Sequence, residues 1–346
     1  MRRIRVMQSF GAPRPTTNPY IVMLRDALRR TPGVEHLPFS WRTALFGRYD
    51  VFHVHWGDTL LAAGSGLTRI GKRAAMAALL ARLSLTRTPV VKTVHNITPP
   101  EGGRIDVALL TALERRTTLR IRLSPTTPEV AETPSALILH GHYRDWFAPM
   151  SKNAATPDRL AYVGLIKPYK GVEQLIAAFE RVTADRGELR LTVAGRASDP
   201  ELARAITAAA ARIPALEADL RYLSEEEFVA IVTAASAIVL PYRHMHNSGS
   251  ALAALSLDRP ILVPDNETTR LLAAEVGPGW VHFFGDELSA DSLAGLADAT
   301  GRGMIGRPDL SAREWDAAGA AHAEAYREAL DTARPRRGRH ANRKGT

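Results

Sequence analysis

The stretch from Tyr162 to Phe179, YVGLIKPYKGVEQLIAAF, constrains the fold of this chain more than any other. A short apolar run passes through a loop with glycines and two lysines into a segment whose apolar residues recur at helical spacing. That pattern predicts a strand feeding an amphipathic helix, the building unit of a parallel α/β sheet. Gly164 lets the backbone approach a ligand, and Lys167 and Lys170 supply positive charge. The helix that starts near Gly171 aims its first N–H groups and its positive dipole end at the same place. The combination suits a diphosphate, although a solvated turn with ordinary surface lysines has the same local sequence.

A second loop of the same kind follows. Ala237 to Pro241, AIVLP, reads as a buried strand; after Tyr242 to Asn247, the residues Ser248, Gly249 and Ser250 open an alanine-rich helix. Ser-Gly-Ser is a common helix cap, and small hydroxyl and glycine residues at a helix start also suit an anion. Strand and helix alternate throughout. The first series is strand Ile4–Gln8, helix Pro19–Arg30 capped by Asn18, strand Val51–Val54, helix Thr68–Leu85, strand Val90–Val94 and helix Ile105–Arg116. Short strands are expected near Ile121 and Leu137, followed by a polar linker at 151–158. The second series starts at Leu160 and runs through strand Leu191–Ala194, helix Glu201–Arg212, strand Leu220–Tyr222, helix Glu225–Thr233, strand Ile238–Leu240, helix Ala251–Leu257 and strand Ile261–Val263. A long helix over Ser311–Leu330 closes it. Such alternation implies doubly wound parallel sheets.

Gly164, Lys170 and Gly171, the LIAAF that follows, and the later PY, SG, ALAAL and RPILVP elements resemble the donor half of nucleotide-sugar glycosyltransferases of the GT-B fold. In the first half, DVFHVHW (Asp50 to Trp56), VVKTVHNITPPEG (Val90 to Gly102) and LILHGHYRDWF (Leu137 to Phe147) are similar to the matching family segments. The resemblance covers residues 1 to 330. Its HGHY and YKG pair looks most like bacterial transferases that add mannose or related sugars in exopolysaccharide or glycolipid assembly. It implies two Rossmann-like domains facing each other across a cleft, with a C-terminal helix crossing back to the first domain. The expected boundaries are an acceptor domain at 1–150, a donor domain at 159–310, a crossover helix at 311–332 and a basic disordered tail at 333–346.

Two departures from the family pattern stand out. Many retaining members have an arginine directly after the first glycine of the phosphate loop, where this chain has Leu165, with Lys167 two positions later. Those members also carry two glutamates around the later loop, where this chain has His246 and Ala254. The usual ribose contact is then absent, and inversion at the sugar carbon is allowed.

The 346 residues, 45% of them hydrophobic, suffice for two domains with separate cores. Zero cysteines excludes disulfides, thiolate metal sites and cysteine nucleophiles together. No apolar run reaches the length of a membrane span and MRRIRVMQSF reads as a strand opening rather than a cleavable signal, so a cytoplasmic location is expected. The net charge of +9 is unevenly placed: residues 1–150 carry 21 Lys and Arg against 10 Asp and Glu, whereas 151–332 carry 18 against 26. A basic first domain suits an anionic partner such as the inner face of a membrane bearing lipid-linked acceptors. Leu67 to Leu85 adds an amphipathic helix with Arg69, Lys72, Arg73 and Arg82 beside its apolar face; a helix packed on its own sheet has the same pattern. Against nucleic acid stand a 6% aromatic content and the absence of a recognisable binding module.

Candidate site residues follow predicted strands. His55, Trp56 and Asp58 follow the strand at Val51, His95 and Asn96 the strand at Val90, and His140 and His142 the strand at Leu137. Histidines after three strands are harder to assign to packing than one alone. Glycosyl transfer needs a stabilised leaving diphosphate, an oriented sugar and, for inversion, a base. Gly164, Lys167, Lys170, Tyr242 and the Ser248, Gly249 and Ser250 turn are assigned to the donor. His95 resembles the family histidine that approaches the donor sugar. Asp58 is the first choice of base and Glu101 the second, and His55, Trp56, His140 and His142 are placed at the acceptor or cleft. No bound metal or cofactor is expected, because no HExxH or DxD-like cluster stands out.

Readings from other classes remain. A nicotinamide enzyme should show G-x-G-x-x-G after the first strand, where this chain has SFGAPRPTTNPY. A nucleotide-sugar epimerase uses the same fold and donor loops without an acceptor, and a non-catalytic sugar-nucleotide-binding protein is compatible with Ala254.

Overall fold

Two parallel sheets of six strands each account for the alternation. The computed structural model describes residues 2–14, 17–62, 66–95, 102–243 and 245–333. Asn96, Glu101 and the basic tail from 334 onward lie outside the described residues. The chain divides into two compact units, Met1–Leu139 with Trp315–Thr346, and His140–Glu314.

The first unit contains β1 (Ile4–Gln8), α1 (Pro19–Arg30), β2 (Val34–Leu37), α2 (Trp41–Phe46), β3 (Val51–Val54), α3 (Leu67–Leu85), β4 (Val90–Val94), α4 (Arg104–Arg115), β5 (Thr117–Arg122) and β6 (Ser135–Leu137). Its strand order is β2-β1-β3-β4-β5-β6, all parallel. Asn18 caps α1 as expected, its side chain accepting from the Tyr20 amide, with Pro19 at the first helical position. The sequence pattern missed β2 and α2, which are short and carry no long apolar period.

The second unit contains α5 (Arg144–Phe147), β7 (Arg159–Val163), α6 (Val172–Val182), β8 (Arg190–Ala194), α7 (Pro200–Arg212), β9 (Leu216–Asp219), α8 (Glu225–Ala234), β10 (Ala237–Val239), α9 (Gly249–Ser256), β11 (Ile261–Pro264), α10 (Glu267–Val276), β12 (Val281–Phe284) and α11 (Ala290–Thr300). Its order is β12-β11-β10-β7-β8-β9. The strand expected at Leu220–Tyr222 lies earlier, at Leu216–Asp219, because buried Ile213 and Leu216 anchor the chain while Tyr222 is left 63% exposed.

The last helix, α12 (Trp315–Ala333), belongs to the first unit. It starts later than the expected Ser311, because Glu314 is extended and separates a short 3₁₀ turn from the helix proper. Trp315, Ala318, Gly319, His322, Tyr326 and Ala329 form its buried face at three- and four-residue steps. Gly319 allows this helix to meet α1 closely: a Cβ there would stand 2.4 Å from Thr31 Oγ1.

Candidate active site

In the second sheet the chain leaves β7 toward β8 and β9, then returns to lay β10, β11 and β12 on the other side. The order reverses between β7 and β10. With right-handed connections, the loops leaving these two strands turn to opposite faces and open a crevice at their carboxyl ends, the ligand position of doubly wound sheets. The two loops singled out by the sequence are the two that flank it.

Glycines set the shape of this crevice. Gly164 adopts φ +135°, and the position of an added Cβ lies 3.7 Å from Ser250 Oγ, so the first loop passes directly against the start of α9. Gly171 is left-handed, with φ +69°, and a Cβ on it would fall 2.0 Å from the Pro241 carbonyl oxygen. Gly195, which follows β8, has φ +130°, and its Cβ would meet the Gly164 carbonyl oxygen at 2.1 Å. Gly195 was not among the expected site residues; its position after the apolar strand Leu191–Ala194 was the available signal.

Lys170 Nζ lies 4.9 Å from the centre of the Tyr242 ring, joining the two loops by a cation–π contact. Tyr242 is buried and its hydroxyl has no hydrogen-bond partner among the described residues. Lys167 Nζ lies 5.9 Å from the exposed Tyr169 ring. Ser248 caps α9, accepting from the Ala251 amide at 3.2 Å, which leaves the amides of Gly249 and Ser250 in the first turn without an intrahelical acceptor.

His140 and His142 belong to this second unit. His140 donates from Nδ1 to the Gly141 carbonyl at 2.9 Å and approaches Tyr143 Oη through Nε2 at 3.4 Å. The Tyr143 hydroxyl in turn lies 3.3 Å from the Cβ position of Gly249. His142 accepts the Arg144 amide on Nδ1 and meets Glu314 Oε1 through Nε2 at 3.2 Å. Buried Arg313 holds the Glu275 carboxylate through two bonds and the His140 carbonyl through a third.

In the first sheet the order reverses between β1 and β3. His55 and His95 meet there, His55 Nδ1 lying 3.2 Å from His95 Nε2. Trp56 stacks on the His95 ring with centroids 3.9 Å apart, and Tyr20 meets the same ring edge-on at 5.2 Å. Behind them His53, wholly buried in a central strand, bonds to Tyr326 Oη and Thr93 Oγ1, each at 2.8 Å. Gln8 connects Tyr326 to His55, with bonds of 3.2 and 2.9 Å. Gln8 and Tyr326 were not expected at the site; a polar residue ending a buried strand was the only signal for the first. Asp58 lies in a 3₁₀ turn one step beyond Trp56, and its exposed carboxylate makes no hydrogen bond or ion pair among the described residues.

Helix α3 divides in two. Met76, Leu79, Leu80 and Leu83 pack into the core of the first unit, whereas Leu67 and Ile70 are 87% and 61% exposed. Of its basic residues, Arg73 pairs with Asp106 and Arg82 donates to the carbonyls of Ala44 and Gly47. Among the described residues no helix is long and apolar enough to cross a membrane, and no three His, Asp or Glu side chains are arranged to hold a metal ion.

Buried histidines make the fold acid-sensitive. Burial lowers the pKa of His140 and of His322 from 6.5 to about 4, and that of His53 and His55 well below the usual value. The unfolded chain therefore binds protons below pH 6.5 that the folded chain refuses, and stability falls with pH from 6.5 down to about 4. At pH 5, His140 and His322 should each have cost roughly 2 kcal/mol. Urea unfolding at pH 7.5, 6 and 5 should give falling midpoints; a midpoint constant over that range contradicts the assignment.

Residues 157–292 match the family described as Glycosyl transferases group 1. Over 332 residues the chain is 43% identical to the GDP-mannose:glycolipid 4-beta-D-mannosyltransferase of Xanthomonas campestris pv. campestris, covering 95% of this chain and 93% of the relative. The chain belongs to the group 1 glycosyltransferases. Solved glycosyltransferases share the architecture. AviGT4, involved in avilamycin A biosynthesis, is 17% identical with a TM-score of 0.56, over 95% of this chain and 98% of that one. Anabaena HepE in complex with UDP-glucose is 12% identical with a TM-score of 0.59, over 96% and 98%. The catalytic domain of Arabidopsis thaliana starch synthase IV, bound to ADP and acarbose, is 11% identical with a TM-score of 0.60, over 95% and 99%. At these identities the likeness establishes the GT-B fold of this glycosyltransferase.

Proposed function

We propose that this glycosyltransferase moves mannose from GDP-mannose to a glycolipid acceptor with inversion at the sugar carbon. The observation that carries the reading is the 43% identity, sustained over 95% of the chain, to a transferase named for that donor, a glycolipid acceptor and a β-linked product. The mannosyl unit of GDP-mannose is α-linked, so a β-linked product requires the acceptor oxygen to attack C1 from the face opposite the departing diphosphate. The C1–O bond to phosphate breaks as the new glycosidic bond forms, GDP leaves, and the acceptor hydroxyl gives its proton to a base.

The glycine-shaped crevice between β7 and β10 supports a site for the diphosphate. Lys170, Lys167 and the amides opening α9 and α6 would neutralise the charge that develops on it. On the first unit His95 orients a sugar hydroxyl. Asp58 serves as base; its exposed carboxylate lies two residues after Trp56, which stacks on His95, and keeps its acceptor capacity. The acceptor is lipid-linked, and exposed Leu67 and Ile70 beside Arg69 support approach to an anionic membrane from the cytoplasmic side.

Lys170→Ala removes one charge-assisted contact, worth roughly 1.5–3 kcal/mol, and should weaken GDP binding by about 10- to 150-fold. Unchanged affinity would remove Lys170 from the site. The functional test is turnover with a small panel of nucleotide sugars and a glycolipid extract. Transfer from GDP-mannose above the others is expected. Interconversion of sugars without transfer would favour an epimerase, and binding without turnover a non-catalytic protein.

A further inference from the structure

One polar assembly in the first unit is larger than sugar binding alone requires. Five successive hydrogen bonds run from Thr93 through His53, Tyr326, Gln8 and His55 to His95. Every member before His95 is buried, Gln8, His53, Thr93 and Tyr326 completely so. The members come from β1, β3, β4 and α12, and residue pairs 318 and 273 positions apart in sequence are joined. Burying so many polar groups is costly unless each is paired, so the directions of their bonds are mutually dependent.

Those directions follow from one amide. Gln8 Nε2 donates to Tyr326 Oη, so the tyrosine hydroxyl turns its own proton to His53 Nδ1. His53 then carries its proton on Nε2 and donates to Thr93 Oγ1. On the other side, Gln8 Oε1 accepts from His55 Nε2, which leaves His55 Nδ1 with a lone pair. The partner of that lone pair is His95 Nε2, which must donate. We infer that Gln8, His55 and Tyr326 are positioning residues that hold the proton of His95 on Nε2, so that His95 offers the lone pair of Nδ1 to a substrate hydroxyl.

Burial and the neighbouring imidazoles keep His53 and His55 neutral, which is the state this bond pattern needs. With its proton on Nε2, His95 is suited to accepting a hydrogen bond at Nδ1, and proton removal falls to a separate base. Trp56 and Tyr20 complete the arrangement by fixing the plane of the His95 ring. The choice of a sugar hydroxyl as ligand rests on the functional reading above; the tautomer does not.

The test needs no substrate. Nitrogen NMR of the full chain with isotopically labelled histidine should show His95 protonated on Nε2, and protonation on Nδ1 overturns the inference. In Gln8→Met, His55 loses its acceptor at Nε2, moves its proton to Nδ1 and donates to His95, so the His95 proton should shift to Nδ1. Turnover should follow the tautomer: kcat/KM falls roughly 10- to 100-fold in Gln8→Met, with GDP affinity unchanged. An unmoved His95 proton in Gln8→Met sinks the inference. Failure of every nucleotide sugar to react, with the tautomers as stated, sinks the functional reading instead.

Discussion

Gly171→Ala should cost the protein most of its affinity for GDP while leaving its helix content near wild type. Two independent penalties act at this position. The left-handed backbone is strained for a residue with a Cβ, by about 1–3 kcal/mol. The added atom would also overlap the Pro241 carbonyl oxygen at 2.0 Å, where normal contact needs well over 3 Å, and backbone cannot move aside as a flexible side chain can. Relieving that overlap separates the loop after β7 from the loop after β10 and carries Lys170 off the Tyr242 ring. Gly33→Ala provides the control: it has φ +82° with nothing within 4 Å of the Cβ position, so it incurs the strain without the overlap. Calorimetric titration of both variants with GDP, beside thermal melts, separates the effects. Equal GDP affinity in Gly171→Ala and wild type would mean that contact between the loops does not shape the nucleotide site.

The second large effect concerns the base. Asp58→Asn should lower kcat by about 10²- to 10⁴-fold, the range of general base catalysis, with GDP affinity unchanged. Asparagine preserves size and polarity but cannot take a proton, so the loss reports chemistry rather than shape. The exposed carboxylate, unpaired among the described residues, predicts little change in stability. Weakened GDP binding with normal turnover would give Asp58 a structural part and return the role of base to another carboxylate, Glu101 being the next choice.

Local patterns carried the fold because the strand-to-helix units are local: β7 with α6 and β10 with α9 announce themselves by apolar runs, glycines and caps. The crevice between them was legible for the same reason, since a single topological rule places both loops side by side. Elements held mainly by tertiary contact were not legible. β9 begins at Leu216, ahead of its expected start, because its register is set by pairing with β8, Leu191 opposite Leu216.

The histidines show the limit more sharply. His55 and His95 follow different strands and meet at 3.2 Å, whereas His140 and His142 belong to the second unit, alongside Tyr143, Glu314 and Arg313. Gln8 and Tyr326 gained their roles from α12, which returns to the first sheet after the whole second unit has been made. No periodicity within one segment encodes a bond between residues 318 positions apart.

Titration of the wild-type protein and of Lys170→Ala with GDP and GMP tests the central claim most directly, because the two nucleotides differ by the phosphate that the β7–β10 crevice is proposed to grip. Wild type should bind GDP more tightly than GMP by at least tenfold, and Lys170→Ala should close most of that gap. Equal affinities for GDP and GMP in wild type, or a gap untouched by Lys170→Ala, would contradict the account.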